Sequence, residues 1–558
     1  MKTRAPLFLL VFPLSAALAS CSSCSHKSSS DSNAALVLSP VDPPAGLLAE
    51  VTITNPDAFW GHLQHGTGGL VALLPMTLGG LVTTFGSVDP SLATAVDGAS
   101  PAYAAAVARG ATETGWAFAA KLTDLPHARA ILVDGESAHY DAHDDGIFTI
   151  LSRKGGTLPG APPGPQIAIS SNGNLVIADD VDDLKAIGSY LVRTMPTHAR
   201  GGSDVEIDVP HAALAGPLHD RLAAFWSHTR QEKEAQAKEA KDKHGRDADF
   251  GDPNAILTLV DAAVQKRLGL VTDLQNTHIS IGADATSITV DATLTPNDGE
   301  GPAAKWISGL TVGDATPLLD APAGVVTVMN RSAKPVPLTA AADFESALKS
   351  VLGARLNDAD AKLAQSVAVD FSAGAGDVVT ASFVNDETGL GALLVTPAAR
   401  SDAALRSVHE GFELLDRPAF RAPLTALVGV TGSALGTAEI GDLGHATTYT
   451  AKRGTTDLAS AAWLVHDGTL MLGAGSDGAK FLTAFAHPPR LWRSDAAVAA
   501  RATALGSGIS LAIVAHPFPA SDPLASLFFA WGRDHDRGHA SVETADVVLR
   551  EAIRLFSR

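Results

Sequence analysis

Cysteine is nearly absent: the 558-residue chain holds two, Cys21 and Cys24, and none thereafter. No disulfide can therefore staple the folded part, which must stand on its packed core. Aromatic residues are scarce at 5%, and beyond the first twenty positions every long apolar run is interrupted by Pro, Gly or a polar side chain. No later segment reaches the roughly 18 apolar residues of a membrane-spanning helix. A basic surplus is missing too. Sixty acidic against 41 basic side chains leave a net charge of −19, which argues against a nucleic-acid surface and against an electrostatic hold on anionic lipid. What is there, 46% hydrophobic and 18% charged residues, is the composition of a globular protein long enough for more than one core.

The N-terminus carries the one specific motif. Lys2 and Arg4 precede an apolar run from Leu7 to Leu18, a length suited to a signal peptide and too short for an anchor. The run ends Leu18-Ala19-Ser20-Cys21, which resembles the lipobox of bacterial lipoproteins: an aliphatic residue, two small ones and the modified cysteine. The resemblance implies cleavage before Cys21 and lipidation of its thiol. Cys24 lacks the box, since Cys21 stands where the aliphatic residue should be. Ser22, in the place where lipoproteins kept in the inner membrane carry Asp, implies sorting to the outer membrane, facing the periplasm. Two or three acyl chains, at roughly 0.8 kcal/mol per buried methylene, make such an anchor effectively permanent. The Ser-rich stretch from Ser22 to Ala35 reads as a flexible spacer.

Beyond the spacer the hydrophobic pattern predicts an α+β fold made of two copies of an antiparallel sheet-plus-helix unit, each with helices on one face, and an inserted helical hairpin. In the first copy Asn172-Gly173 joins strands Gln166–Ser170 and Asn174–Ala178, and a helix follows over Val181–Arg193. In the second, Asp467-Gly468 joins Ala461–Val465 to Thr469–Leu472. Shifting Ile167–Tyr190 by 295 positions lays Ile169 over Leu464, Leu175 over Leu470, Ile177 over Leu472 and Tyr190 over Phe485. The expected division is a signal peptide over 1–20, lipidated Cys21 and tether over 21–40, a first unit over 41–200, its tail with the hairpin over 201–320, a second unit over 321–490 and a second tail over 491–558. The helices of the hairpin are expected over Leu218–Lys243, whose second half is almost wholly Glu, Lys, Gln and Ala, and over Ala255–Leu274. Gly66 to Val88 bears no charge; it is expected to form two short helices that turn Leu70, Leu73, Leu74, Leu78, Leu81, Val82 and Phe85 toward apolar surroundings, either core or a groove for a lipid or apolar partner.

Five patterns imitate chemistry. Gly473-Ala474-Gly475-Ser476-Asp477-Gly478 has the spacing of a dinucleotide loop, but its neighbour strand is reached by a tight hairpin and not through a βαβ crossover. Ser346 and Lys349 fit S-x-x-K without the companion boxes of serine acyltransferases. His409-Glu410 opens like a zincin helix, yet Glu413 stands where the second His belongs. His139, Asp141, His143, Asp144 and Asp145 form one group with nitrogen and oxygen donors for a divalent metal, and Asp534, His535, Asp536 and His539 another, both equally suited to a wet surface. No catalytic residue, cofactor site or metal site is assigned from them.

Lipobox, Ala-rich exported sequence, low cysteine count and recurring α+β pattern together resemble the large lipoproteins of GC-rich proteobacteria. That resemblance implies location and not activity. Two functions stand open: a non-enzymatic envelope lipoprotein that binds a protein partner or an apolar ligand or serves structurally, and, as the alternative, a metal-dependent periplasmic hydrolase using one of the His/Asp clusters.

Overall fold

Alternating burial along LLAEVTI makes a strand, β1 (Leu47–Ile53), whose Val51 and Ile53 enter the core. Asn55 ends it by capping the next helix, Pro56–Thr67, its Oδ1 accepting from the Ala58 amide at 3.0 Å. The computed structural model describes residues 38–556, apart from 68–74, 76, 86–89, 136, 137, 139, 155–164, 200, 245–252, 285, 333–337, 387, 388, 487, 489 and 518–525. The first half continues with β2 (Ala102–Arg109), β3 (Glu113–Lys121), β4 (Tyr140–Asp145), β5 (Phe148–Arg153), β6 (Gln166–Ser170), β7 (Asn174–Ala178), β8 (Val205–Pro210), β9 (Leu274–Ala283) and β10 (Ser287–Pro296). The second half adds β11 (Val326–Arg331), β12 (Val378–Asp386), β13 (Gly389–Pro397), β14 (Gly432–Glu439), β15 (His445–Arg453), β16 (Thr456–His466), β17 (Thr469–Gly475), β18 (Ile509–Ala515), β19 (Leu527–Asp534) and β20 (Arg537–Ala545).

Two separate sheet-plus-helix units, as the sequence suggests, are not what forms. All twenty strands belong to a single antiparallel sheet. The physical reason is that hairpin signals report only local pairing, whereas a strand left at an edge still carries unpaired amides and carbonyls that favour further pairing. What recurs is the pairing order inside that one sheet. The first ten strands lie side by side as β4-β5-β6-β7-β3-β2-β1-β8-β9-β10. The later ones lie as β14-β15-β16-β17-β13-β12-β11-β18-β19.

Helices on one face only is a second expectation that fails. In the first half Val51, Phe118, Ile167, Ile169, Leu175 and Ile177 pack with Phe59, Trp60, Leu78 and Leu81 on one side of the sheet. Tyr103, Ala105, Ala117, Ala168, Val176 and Ala178 pack with Leu184, Ile187, Tyr190 and Leu191 on the other. A sheet covered twice needs apolar residues at both parities, which is why β2, AYAAAVAR, and β7, NLVIA, show no polar face. Small alanines in β2 and β3 let the helical run Val181–Asp183, Leu184–Gly188 and Ser189–Arg193, π-wound in its middle, come close.

Two compact units are distinguished. One comprises the chain through Phe225, Leu270–Ala304 and Ser541 onward, the other Trp226–Gly269 and Lys305–Ala540. The second has its own cores: Trp492, Met329, Val514 and Phe528 in one cluster, Leu393, Leu464, Met471 and Leu482 in another. The helices Pro217–His244 and Pro253–Val271 form the expected hairpin, tied where Asp261 accepts from Trp226 Nε1 at 2.7 Å and Arg230 Nη1 at 2.5 Å. Among the described residues no helix is long and apolar enough to cross a membrane.

Of the uncharged stretch, Leu78–Phe85 is helical, with Leu78, Leu81 and Val82 buried against Phe59 and Trp60. Leu70, Leu73 and Leu74 lie outside the described residues, as does the Phe85 side chain.

Candidate functional site

The sheet registers assemble a polar constellation that no local pattern announces. Pairing of β1 with β8 sets Glu50 opposite Asp208, and pairing of β8 with β9 sets Asp208 opposite His278. The same row continues from Glu50 through Ala105, Ala117 and Ala178 beneath the 181–193 helical run. Two carboxylates side by side on neighbouring strands repel one another, so each must find a donor. Tyr190 supplies the first: its hydroxyl donates to Glu50 Oε2 at 2.5 Å. His198 stands with Nδ1 at 3.4 Å from Glu50 Oε1, its ring edge-on to Tyr190 at 6.2 Å. On the other side His278 Nδ1 lies 2.8 Å from Asp208 Oδ1.

The pieces differ in access. Tyr190 is buried at 2% exposure, whereas the Asp208, His278 and His198 side chains are about 40% open at 42%, 38% and 40%. Burial raises the Tyr190 hydroxyl pKa above the ordinary phenol value, and the bond to Glu50 and the charges of Glu50 and Asp208 raise it further. The phenol therefore keeps its proton and acts only as a donor toward Glu50. What the group offers to solvent is the Asp208 carboxylate with the His198 and His278 imidazoles, while Glu50, its side chain 16% exposed, is taken up by Tyr190. The described N-terminal segment arrives beside it: Val41 exchanges bonds with Thr194 Oγ1 at 2.8 and 2.7 Å, and Ser39 accepts from Arg193 Nε at 2.7 Å.

The residues singled out by sequence are placed as follows. Cys21 and His139 lie outside the described residues. In the first His/Asp group Asp145 is paired with Lys185 at 2.7 Å and Asp144 accepts from Thr149 at 2.7 Å, while Asp141 and His143 are exposed. In the second, His535 occupies the β19–β20 turn with φ +54° and contacts its neighbour Asp534 at 2.7 Å. Among the described residues no three His, Cys, Asp or Glu side chains gather as a group that could hold a metal ion.

The glycine-rich loop has a packing role. A Cβ on Gly473 would stand 2.5 Å from the Gly478 carbonyl oxygen, and one on Gly478 would stand 2.7 Å from Ala461 Cα, so these glycines let the Gly478–Ala486 helix close on β16 and β17. Both neighbours of β17, β13 and β16, are antiparallel to it. Ser346 and Lys349 line a shallow depression on the Leu338–Leu352 helix. There the hydrogen bonds to Glu345 at 2.8 Å and Asp358 at 2.9 Å raise the lysine pKa, the reverse of what an activating base needs. His409 lies against Trp463 at 6.2 Å and reaches Glu413 at 3.5 Å.

A second buried polar set lies in the other unit. Asp495, 2% exposed, caps the Ala496–Leu505 helix through the Ala497 and Val498 amides at 3.1 and 3.2 Å, and faces buried His516 at 3.7 Å. Burial raises the Asp495 carboxyl pKa, but the nearby His516 and the donors of Val498 and Ser526 outweigh it and hold the group below the usual range. Trp492 Nε1 donates to Thr327 Oγ1 at 2.8 Å beside it. The set is sealed, so it organises the fold and presents no reactive atom to solvent.

No protein-family model, curated protein or solved structure matches this chain.

Proposed function

We propose that this chain is a lipid-anchored envelope protein, held by acylated Cys21 at the bacterial outer membrane and facing the periplasm, with a binding or structural role and no catalysis of its own. The observation that carries the reading is Leu18-Ala19-Ser20-Cys21 behind a basic start and a short apolar run. Support comes from the Ser-rich spacer that follows and from the docking of Ser39 and Val41 on the 189–194 segment, which gives a tether a fixed point of entry. The half-open face at Asp208, His198 and His278, backed by Glu50, is the surface we assign to a protein partner rich in hydrogen-bond donors.

Radiolabelled palmitate tests the anchor. Wild type and Cys24→Ala should incorporate label and sediment with membranes, whereas Cys21→Ala should do neither. Label retained by Cys21→Ala would overturn the proposal.

A further inference from the structure

Strand β14 lies at a margin of the sheet: among the described residues its pairing register runs against β15 alone. The Ile440 amide bonds the Gly444 carbonyl at the turn, and pairing continues from Glu439 opposite His445 to Gly432 opposite Lys452. Because antiparallel partners exchange hydrogen bonds at every second residue, Ala438, Gly436 and Ala434 spend their backbone groups on β15. Ser433, Leu435, Thr437 and Glu439 aim theirs outward. The strand reads GSALGTAE, with one charge, at its last residue, and it is exposed over Ala434–Thr437, Leu435 at 43%.

The strand in the same place of the first half's pairing order is β4, YDAHDD, which among the described residues is also paired on one side only. Asp141, His143, Asp144 and Asp145 make it the charged, self-avoiding kind of edge. β14 has no such defence, so the two edges are treated differently within one pairing plan.

We propose that β14 is a pairing edge for a second copy of this chain, joined antiparallel across a two-fold axis at Leu435. Only an even register lets outward-facing residues meet, and the central one sets Leu435 against Leu435, Ser433 against Thr437 and Thr437 against Ser433 of the other copy. Charge favours the same solution. Exposed Glu439 ends the strand on one side, while exposed Arg453, on β15 next to Lys452 and reaching back to the Val428 carbonyl, lies at the other end; Lys452 itself has Asp457 at 3.8 Å. An antiparallel pair brings each acidic end to the other copy's basic end, twice. Pairing β14 with β4 of another copy would instead build an open chain and set a neutral strand against a row of aspartates. The net charge of −19 opposes any self-association at long range, so the dimer should strengthen as salt screens it.

The test uses full-length protein in detergent, with Cys24→Ser throughout. Under mild oxidation Leu435→Cys should form at least tenfold more cross-linked dimer than Ala142→Cys on β4 or than the background without an added cysteine. Adding Thr437→Pro, which removes an outward amide and no bond to β15, should abolish the cross-link with the melting temperature unchanged. Equal cross-linking at positions 435 and 142, or a cross-link that survives Thr437→Pro, would overturn the proposal.

Discussion

Arg109, at the end of β2, carries a perturbation whose size and sign both follow from geometry. Its Nε donates to Asp183 Oδ1 at 3.1 Å, Nη2 reaches Asp183 Oδ2, and Nη1 lies 2.7 Å from Asp180 Oδ2. Asp183 is 4% exposed and also accepts the Trp116 amide at 2.9 Å. Arg109→Met would leave that carboxylate buried with its cation gone, a loss of about 3–5 kcal/mol. At about 2 °C per kcal/mol for a unit of this size, the melting temperature should fall by roughly 6–10 °C at pH 7. The pH dependence has a definite sign. Burial raises the Asp183 pKa above its ordinary value even against Arg109, and without Arg109 it must rise further. A carboxyl raised in the folded state contributes most stability where it is protonated and loses it as pH climbs through the folded pKa. The deficit of Arg109→Met should therefore shrink between pH 7 and pH 4.5 in paired calorimetric scans. Adding Asp183→Asn, which keeps an acceptor for Trp116, should recover at least half of it at pH 7. A deficit that grows on acidification, or no recovery in the double variant, would refute the account.

Three further outcomes are expected. Leu81→Asp places a carboxylate 2% exposed among Phe59, Trp60 and Leu92, so it should cost several kcal/mol in denaturant titrations; an unchanged midpoint would mean that Leu81 faces a contact surface. Asp546, 5% exposed, has its carboxyl pKa raised by burial first and by Asp284 second, against the pull of Arg550, His65 and His62. Asp546→Asn should therefore raise the melting temperature at pH 8 and lose that advantage near pH 4, and an advantage that grows in acid would contradict it. Gly478→Ala pushes a methyl to 2.7 Å from both Ala461 Cα and the Gly473 carbonyl, and should destabilise by about 1–3 kcal/mol with no ligand present; a neutral result would reopen a binding role for that loop.

Local turn chemistry made parts of the fold legible and long-range pairing hid the rest. Asn172-Gly173 bounds β6 and β7 to the residue, because Gly173 adopts φ +78° as such a turn requires. The hairpin before it is set in the same way, by a glycine at positive φ. Its first strand is Tyr140–Asp145 because the two-residue turn starts at Gly146, φ +63°. The Glu50 constellation was not readable as a group. Its members come from β1, β8, β9 and the end of the 181–197 helical region, and only the β1–β8 and β8–β9 registers bring them together. A glutamate inside LLAEVTI was the one local sign of it. The His/Asp clusters show the reverse: donors close in sequence go separate ways, Asp145 to Lys185, Asp144 to Thr149 and His143 to solvent.

The two halves of the sheet show how a single residue in a turn propagates. Across β1, β2, β3, β7, β6 and β5, Val51, Ala104, Phe118, Ile177, Ile167 and Leu151 stand side by side. Across β11, β12, β13, β17, β16 and β15, Val328, Ala381, Leu394, Leu472, Trp463 and Thr447 do the same. Ile177 and Leu472 thus hold one place in the pairing, though Leu472 is only half-buried. The constant shift of 295 fails one strand further on, where Ile167 answers to Trp463 and not to Ala462. The cause is the turn. β6 and β7 are joined through 171–173, whereas β16 and β17 are joined through Asp467 and Gly468, both at positive φ of 45° and 72°. Losing one turn residue slides the returning strand by one, and a one-residue slide exchanges its faces. β16 carries Trp463 at the pairing place that Ile167 holds in β6. Its indole stacks on Phe412 at 4.8 Å under the Ser401–Leu414 helix, while Leu464 turns to Leu393 and Met471 on the opposite face. Pairing order is thus common to the two halves while residue identity is not: the shorter turn between β16 and β17 goes with an apolar pattern set one step along the strand, and the strand neighbours are the same.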